Sequence, residues 1–269
     1  MNEPALRLRQ ARPDRAAPGE PPVLELRGVG LSYPGQGPPA QAGGPPRRRP
    51  GQPRLARHRV HWPPAALSGI DLTVRPGELV TVTGPAQSGK TTLLKVVALL
   101  LRPTTGSYLL NGLDTARLRD RGLAALRGRE IGLVCQPAHL LAGRSVLDNV
   151  MLPLIYAGRP ERARRGPALA GLDLAGLGAQ AHRLVSELSA AERQRTAIAR
   201  ALVTAPRLLI CDDPTAGLDP DQAVQVIALL TSLRSAGCTV LVATGDQLAA
   251  AHGSRCLRLG DGAPGGPPA

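Results

Sequence analysis

Residues 84–92 read GPAQSGKTT, a lysine and two hydroxyls set close behind two glycines. The stretch matches G-x-x-x-x-G-K-[ST] without a gap and lies between the apolar runs 79–82 and 93–101. A glycine-rich turn between a strand and a helix points backbone N–H groups inward. Those donors, the positive end of the following helix and the Lys90 ammonium together form a cradle for the β- and γ-phosphates of a nucleotide. Gly84, Pro85, Ala86, Gln87, Ser88, Gly89, Lys90, Thr91 and Thr92 are therefore the candidate nucleotide-binding residues. The Thr91 hydroxyl is placed to meet Mg²⁺. A chance glycine turn in a glycine-rich chain is the bland alternative, and the flanking strand and helix patterns argue against it.

A second constellation follows far downstream, where the short apolar run LLIC (208–211) ends in Asp212 and Asp213. An α/β fold presents such strand ends to bound phosphate, and an acid there holds Mg²⁺ directly or through water, opposite the Thr91 hydroxyl. Paired acids at a strand end can also be solvated turn formers. The phosphate loop upstream favours the metal reading. Between the two lies LSAAERQRTAIARAL (188–202), in which Ser189 is an N-cap, Glu192 closes a capping box, and Ile198 and Leu202 share a helix face.

The elements that must position these groups can be read in order. Residues 1–22 read as a disordered lead, and 23–33 (VLELRGVGLSY) alternate as a first strand. Residues 34–64 are dense in Pro, Gly and Arg without periodicity and read as a mobile insertion. Residues 67–74 alternate again, and the turn Arg75-Pro76-Gly77-Glu78 leads into the strand that feeds the phosphate loop. Two strands and a tight turn before the loop give the site an antiparallel flank. Residues 102–112 read as turn, strand and turn. A charged helical stretch follows, and residues 131–136 (IGLVCQ) return to strand. From about 137 to 187 the pattern is helical and rich in Ala, Leu and Arg, as in a small inserted helical lobe. A helix over 221–235, a strand over 239–243 and a last helix and strand around 248–259 complete the body, leaving 260–269 as a disordered tail.

The 269 residues, 43% of them hydrophobic, suffice for one domain with its own core. Aromatic residues amount to 1%, so Leu, Val, Ile and Ala must fill that core. The formal charge of +13 would favour an anionic partner if it lay on the folded body, but many arginines fall in 47–59 and 159–165. Basic stretches with few aromatics are more often solvated segments than base readers. Cys135, Cys211, Cys238 and Cys256 form no C-x-x-C pair, which suggests buried, reduced thiols rather than zinc or disulfides. The N-terminal residues have no apolar h-region, which argues against secretion, and the longest apolar run is too short to span a bilayer.

On these motifs the chain resembles the nucleotide-binding subunit of an ATP-binding cassette (ABC) transporter. It is most similar to the branch serving lipoprotein-release, macrolide-export and cell-division-type permeases, through SVLDNVMLPLIYAG (145–158). GPAQSGKTT resembles the Walker A loop, Gln136 the Q-loop glutamine, and LSAAE (Leu188, Ser189, Ala190, Ala191, Glu192) the signature LSGGQ. LLICDDPT (208–215) resembles the Walker B strand, and 216–219, ending in Asp219, the D-loop. The resemblance covers about 23–259. It implies an α/β fold: a P-loop NTPase of ABC type with a mixed sheet, an antiparallel flank and an inserted helical subdomain. It further implies two subunits facing head to tail, with ATP between the Walker motifs of one and the signature of the other. Tyr33 would stack on adenine, with Trp62 a weaker candidate. Thr91, Gln136 and Asp212 would surround Mg²⁺, Gln136 would also sense the attacking water, and Asp213 would be the catalytic acid. The partners implied are membrane permease subunits and a second ATP-binding subunit, with no nucleic acid expected, on the cytoplasmic face of the cell membrane as a peripheral protein.

The chain departs from the family pattern at three places. The acid facing the attacking water is usually Glu, whereas Asp213 is one methylene shorter. The switch histidine is replaced by Gly245. Both signature glycines have become Ala190 and Ala191, which would cost about 1–2 kcal/mol if the backbone there were left-handed. The expectation is firm Mg-ATP binding with slow hydrolysis or none. Three classes of function follow: a transporter ATPase subunit, a nucleotide-gated module that scaffolds or regulates a membrane complex without turnover, and a cytosolic ATPase of this type acting on DNA or ribosomes, the last suggested by net charge alone.

Overall fold

The computed structural model describes residues 21–33, 66–260 and 263–264. The proposed insertion, Trp62, most of the proposed lead and most of the proposed tail lie outside the described residues. Two sheets organise the rest. Strands β1 (Leu24–Leu31), β2 (Leu67–Val74), β4 (Thr105–Leu110) and β5 (Leu113–Asp114) form an antiparallel sheet in the order β2-β1-β4-β5. Strands β3 (Leu79–Thr83), β6 (Ile131–Val134), β7 (Leu208–Asp212), β8 (Thr239–Ala243), β9 (Arg255–Gly260) and β10 (Ala263–Pro264) form the second sheet, in the order β10-β9-β3-β8-β7-β6. All its pairings are parallel except that of β10 with β9. Its central strands are buried on both faces, hence the continuous apolar runs LVTV, LLIC and TVLVA in place of alternation.

The antiparallel flank is the sheet opened by β1 and β2. The turn at 75–78 does not pair β2 with β3; it carries the chain from the antiparallel sheet to the parallel one. The antiparallel partner of β1, besides β2, is β4, which follows the first helix. Short alternation marks a half-buried strand but not its neighbour. Pairing was decided by the need to bury helix α1 (Lys90–Val97) between the sheets, where Leu93, Leu94, Val96 and Val97 are all inaccessible. The Tyr108 hydroxyl, on β4, donates to Val97 O (2.7 Å) at the end of that helix.

Helices α2 (Asp120–Glu130), α3 (Val146–Tyr156), α4 (Arg165–Leu174), α5 (Ala190–Leu202), α6 (Pro220–Ser235) and α7 (Gln247–Ala251) complete the fold. Helices α3 and α4 share a core of their own with the buried face of α5, formed by Val146, Val150, Leu154, Leu172 and Ala199 among others. Helix α3 opens on a capping box: Ser145 Oγ accepts from Asp148 N (3.0 Å) while Asp148 accepts from Ser145 N (3.3 Å). Asn149, wholly buried, accepts from Leu141 N (2.7 Å) and donates to the carbonyls of Leu141 (3.1 Å) and Ser145 (2.9 Å). It thus fastens this lobe to the segment that follows β6.

Candidate functional site

The phosphate loop connects β3 to α1. At Gly84, with φ 153°, an added Cβ would lie 2.4 Å from Leu259 O and 2.5 Å from Ser88 Oγ, so only glycine fits. Gly89 caps α1 in the left-handed region, at φ 89°. Gln87 also lies there, at φ 64°, a conformation few side chains adopt. Lys90 Nζ donates to Gly84 O and Pro85 O, both at 2.8 Å, which holds the ammonium within the loop. Ser88 Oγ is buried without a hydrogen-bond partner among the described residues. A buried hydroxyl left unpaired is costly, and a phosphate oxygen is the kind of group that would complete it.

Strand β7 brings Asp212 under the start of α1, where Thr91 Oγ1 donates to Asp212 Oδ1 at 3.3 Å. Burial pushes the Asp212 carboxyl above its usual range; the Thr91 bond opposes this, the neighbouring Asp213 charge adds to it, and Lys95 and Lys90 pull it back. Among the described residues no group of three or more His, Cys, Asp or Glu converges as a self-contained metal site. A hydroxyl and one carboxylate suit Mg²⁺, which keeps waters and takes its other oxygens from substrate phosphates. Tyr33 packs against the core with its hydroxyl 3.5 Å from Thr92 Oγ1, at the base of the same helix.

Asp213 sits at the turn leaving β7, at φ 45°, with its N–H donating to Ala243 O (2.8 Å). It lines a cavity of about 540 Å³ shared with Gln136, Ala190, Gln194, Ala216 and Leu218. Three segments separated in sequence, those around Gln136, Ala190 and Ala216, are therefore open to one space beside Asp213. Asp219 caps α6 by accepting from Gln222 N (2.8 Å). The segment after Gln136 is held by Arg200 of α5, which donates to His139 O (2.9 Å) and Ala138 O (2.6 Å). Burial pushes that guanidinium below its usual value.

The capping box at the signature is as expected: Ser189 Oγ accepts from Glu192 N (3.2 Å) and Glu192 Oε2 from Ser189 N (2.8 Å). The feared alanine cost does not arise. Ala190 and Ala191 are the first two residues of α5, and neither has positive φ. Gly245 has open space around it, with nothing within 4 Å of an added Cβ. His252 Nδ1 donates to Leu248 O (2.8 Å) at the end of its own helix, and the side chain does not reach this cavity.

Three groups escaped the sequence reading. In the sequence Arg200 reads only as part of a helix. Thr244 and Asp246 flank the glycine, and Asp246 caps α7 by accepting from Leu248 N (2.9 Å) and receives Thr215 Oγ1 (3.0 Å). An Asp immediately before a helix start is an N-cap signal, but its cross-contact with Thr215 has no sequence signature. The cysteines differ in part from expectation: Cys211 and Cys238 are buried and Cys135 partly so, whereas Cys256 is exposed. Among the described residues no helix is long and apolar enough to cross a membrane.

Residues 67–216 match the sequence profile of the family described as ABC transporter. The lipoprotein-releasing system ATP-binding protein LolD of Anaeromyxobacter dehalogenans is 48% identical over 200 residues, which cover 73% of this chain and 83% of that protein. The protein of the same name from Hyphomonas neptunium is 44% identical over 242 residues, 90% of this chain and 96% of that one. The macrolide export ATP-binding/permease protein MacB of Rhodospirillum rubrum is 42% identical over 200 residues, but these make up 31% of its length. The dimeric structure of a bacterial ABC transporter cassette superposes with a TM-score of 0.72 at 31% identity, covering 90% of this chain and 96% of that one. The same cassette in a dimeric post-hydrolysis state bound to ADP and Pi gives the same values.

Proposed function

This chain belongs to the ABC transporter family, and from that premise we propose that it binds Mg-ATP between two such subunits and uses the closure to drive a membrane permease. It is an ATP-binding subunit, homologous to LolD and to the ATP-binding part of MacB. The observation that carries the reading is the convergence of the Lys90 loop, the Thr91–Asp212 contact and the Asp213 cavity on one end of the parallel sheet. Phosphoryl transfer needs little beyond positioned donors, a metal and an oriented water. Lys90 and the loop amides would hold the β- and γ-phosphates, while Thr91, Asp212 and Gln136 would hold Mg²⁺, which neutralises developing charge. Asp213 would orient the water. Leu188, Ser189, Ala190, Ala191 and Glu192 would face the nucleotide of the second subunit, with Asp219 at the join.

The permease would dock in a groove of about 830 Å³ between α2, α3 and the end of α5, lined by Ala125, Gly128, Leu152, Tyr156, Arg200 and Thr204. Tyr156, among the lining residues, is 86% exposed. Arg200 lines the groove and also grips the carbonyls after Gln136, so pressure in the groove is felt at the Q-loop. The protein would lie on the cytoplasmic face of the membrane, bound to its permease. Whether the chain completes hydrolysis is a separate matter. Asp213 and Gly245 favour slow turnover, and at the limit a nucleotide-gated scaffold.

Titration calorimetry tests the core of the proposal. Magnesium-dependent ATP uptake is expected, with Lys90→Ala weakening it at least tenfold. A folded chain that takes up no ATP would end the proposal.

A further inference from the structure

We propose that Thr244 is the positioning residue for Asp213, holding its carboxylate in place from the strand end beside the missing histidine. The proposal rests on the reading of Asp213 as the acid that orients the attacking water. Thr244 is wholly buried and makes three bonds of different kinds. Its N–H donates to Val82 O (3.0 Å), on β3 just before the phosphate loop. Its hydroxyl oxygen accepts from Asp246 N (2.9 Å). Its hydroxyl proton is given to Asp213 Oδ1 (3.1 Å).

The order of these bonds fixes the direction of the hydroxyl. An amide can only donate, so the Asp246 N–H occupies a lone pair of Thr244 Oγ1 and leaves its proton for the carboxylate. One oxygen of Asp213 is then tied to Thr244 at the end of β8, beside the strand that feeds the phosphate loop, and the other remains for a water in the 540 Å³ cavity. Asp213 is itself at φ 45°, a backbone that a short polar residue tolerates when its surroundings hold it. A shorter acid has less reach, so a fixed rotamer matters more: orientation gained before the reaction is not lost during it. A parallel tie, Thr215 Oγ1 to Asp246 Oδ2 (3.0 Å), joins the same two loops without touching Asp213. It supplies the internal control.

The test measures Mg-ATP turnover of the full chain by sensitive phosphate release, together with ATP affinity and thermal unfolding. Thr244→Val keeps the shape and removes the hydroxyl. It is expected to lower kcat about tenfold with KM and ATP affinity within twofold, while Thr244→Ser returns kcat to within about twofold of the unaltered chain. Thr215→Val, which loosens the same loops, is expected to change kcat less than threefold. Asp213→Asn separates the premise from the proposal. If Asp213→Asn turns over normally, Asp213 is not the acid and the proposal falls with it. If Asp213→Asn is impaired but Thr244→Val is not, or if Thr215→Val is impaired equally, or if serine fails to rescue, the premise stands and Thr244 has only a structural part. Turnover no faster than ATP in buffer for the unaltered chain likewise overturns it.

Discussion

Bringing the two positions that depart from the family pattern back to it, Asp213→Glu with Gly245→His, is expected on the proposed reading to raise turnover by at least about a hundredfold. The first change extends the carboxylate by one methylene, about 1 Å toward the cavity it already lines, and misplacement on that scale costs on the order of a hundredfold. At about 1.4 kcal/mol per factor of ten, the barrier falls by roughly 2.7 kcal/mol. The second change adds a donor, a type of group whose removal elsewhere costs a further hundredfold or more. The fold accepts the histidine: a Cβ at Gly245 meets nothing within 4 Å and its φ is not positive. It accepts the glutamate less readily, because Asp213 is at φ 45°, where Asp is tolerated better than Glu. The double variant should therefore melt a few degrees lower while turning over faster, a combination that global stabilisation cannot mimic. Phosphate release at saturating Mg-ATP, with melting followed in parallel, measures both. Equal turnover in the two proteins would refute the claim that these positions limit the rate.

Further outcomes are expected at other sites. Gln87→Gly removes a left-handed side chain from the phosphate loop and should raise stability by about 0.5–1 kcal/mol after the entropy of glycine is counted, read as a rise of about 2 °C in Tm. Asn149→Ala strips three hydrogen bonds from a wholly buried site and should destabilise by about 2–3 kcal/mol in denaturant titration. Ser189→Ala should cost about 1 kcal/mol. Its partner carboxyl, Glu192, is held below the usual range chiefly by the Ser189 N–H, so its contribution is complete above the ordinary glutamate pKa and is lost as pH falls through the depressed value. The melting curves of the unaltered chain and Glu192→Gln should accordingly differ near pH 7 and converge in acid. Arg200→Leu should leave ATP affinity of the isolated chain within twofold while weakening the dependence of turnover on the permease, because it frees the carbonyls of Ala138 and His139.

The sequence by itself determined the local parts of this protein. A lysine behind glycines, acids behind an apolar run and a serine three residues before a glutamate each fix their chemistry within a few residues, and the loop, β7 and the α5 cap all stand where the spacing put them. The signature alanines were legible as a departure, but whether they carry a cost depended on φ, which the helix start settled. Tertiary structure decided what lies between distant segments. The turn at 75–78 looks like any tight turn, yet it joins two sheets because α1 has to be covered on both sides. Thr244 reaches Asp213 across 31 positions, and Arg200 reaches His139 across 61. Such contacts arise from stacking strands and helices around a common core, and no periodicity or spacing along the chain encodes them.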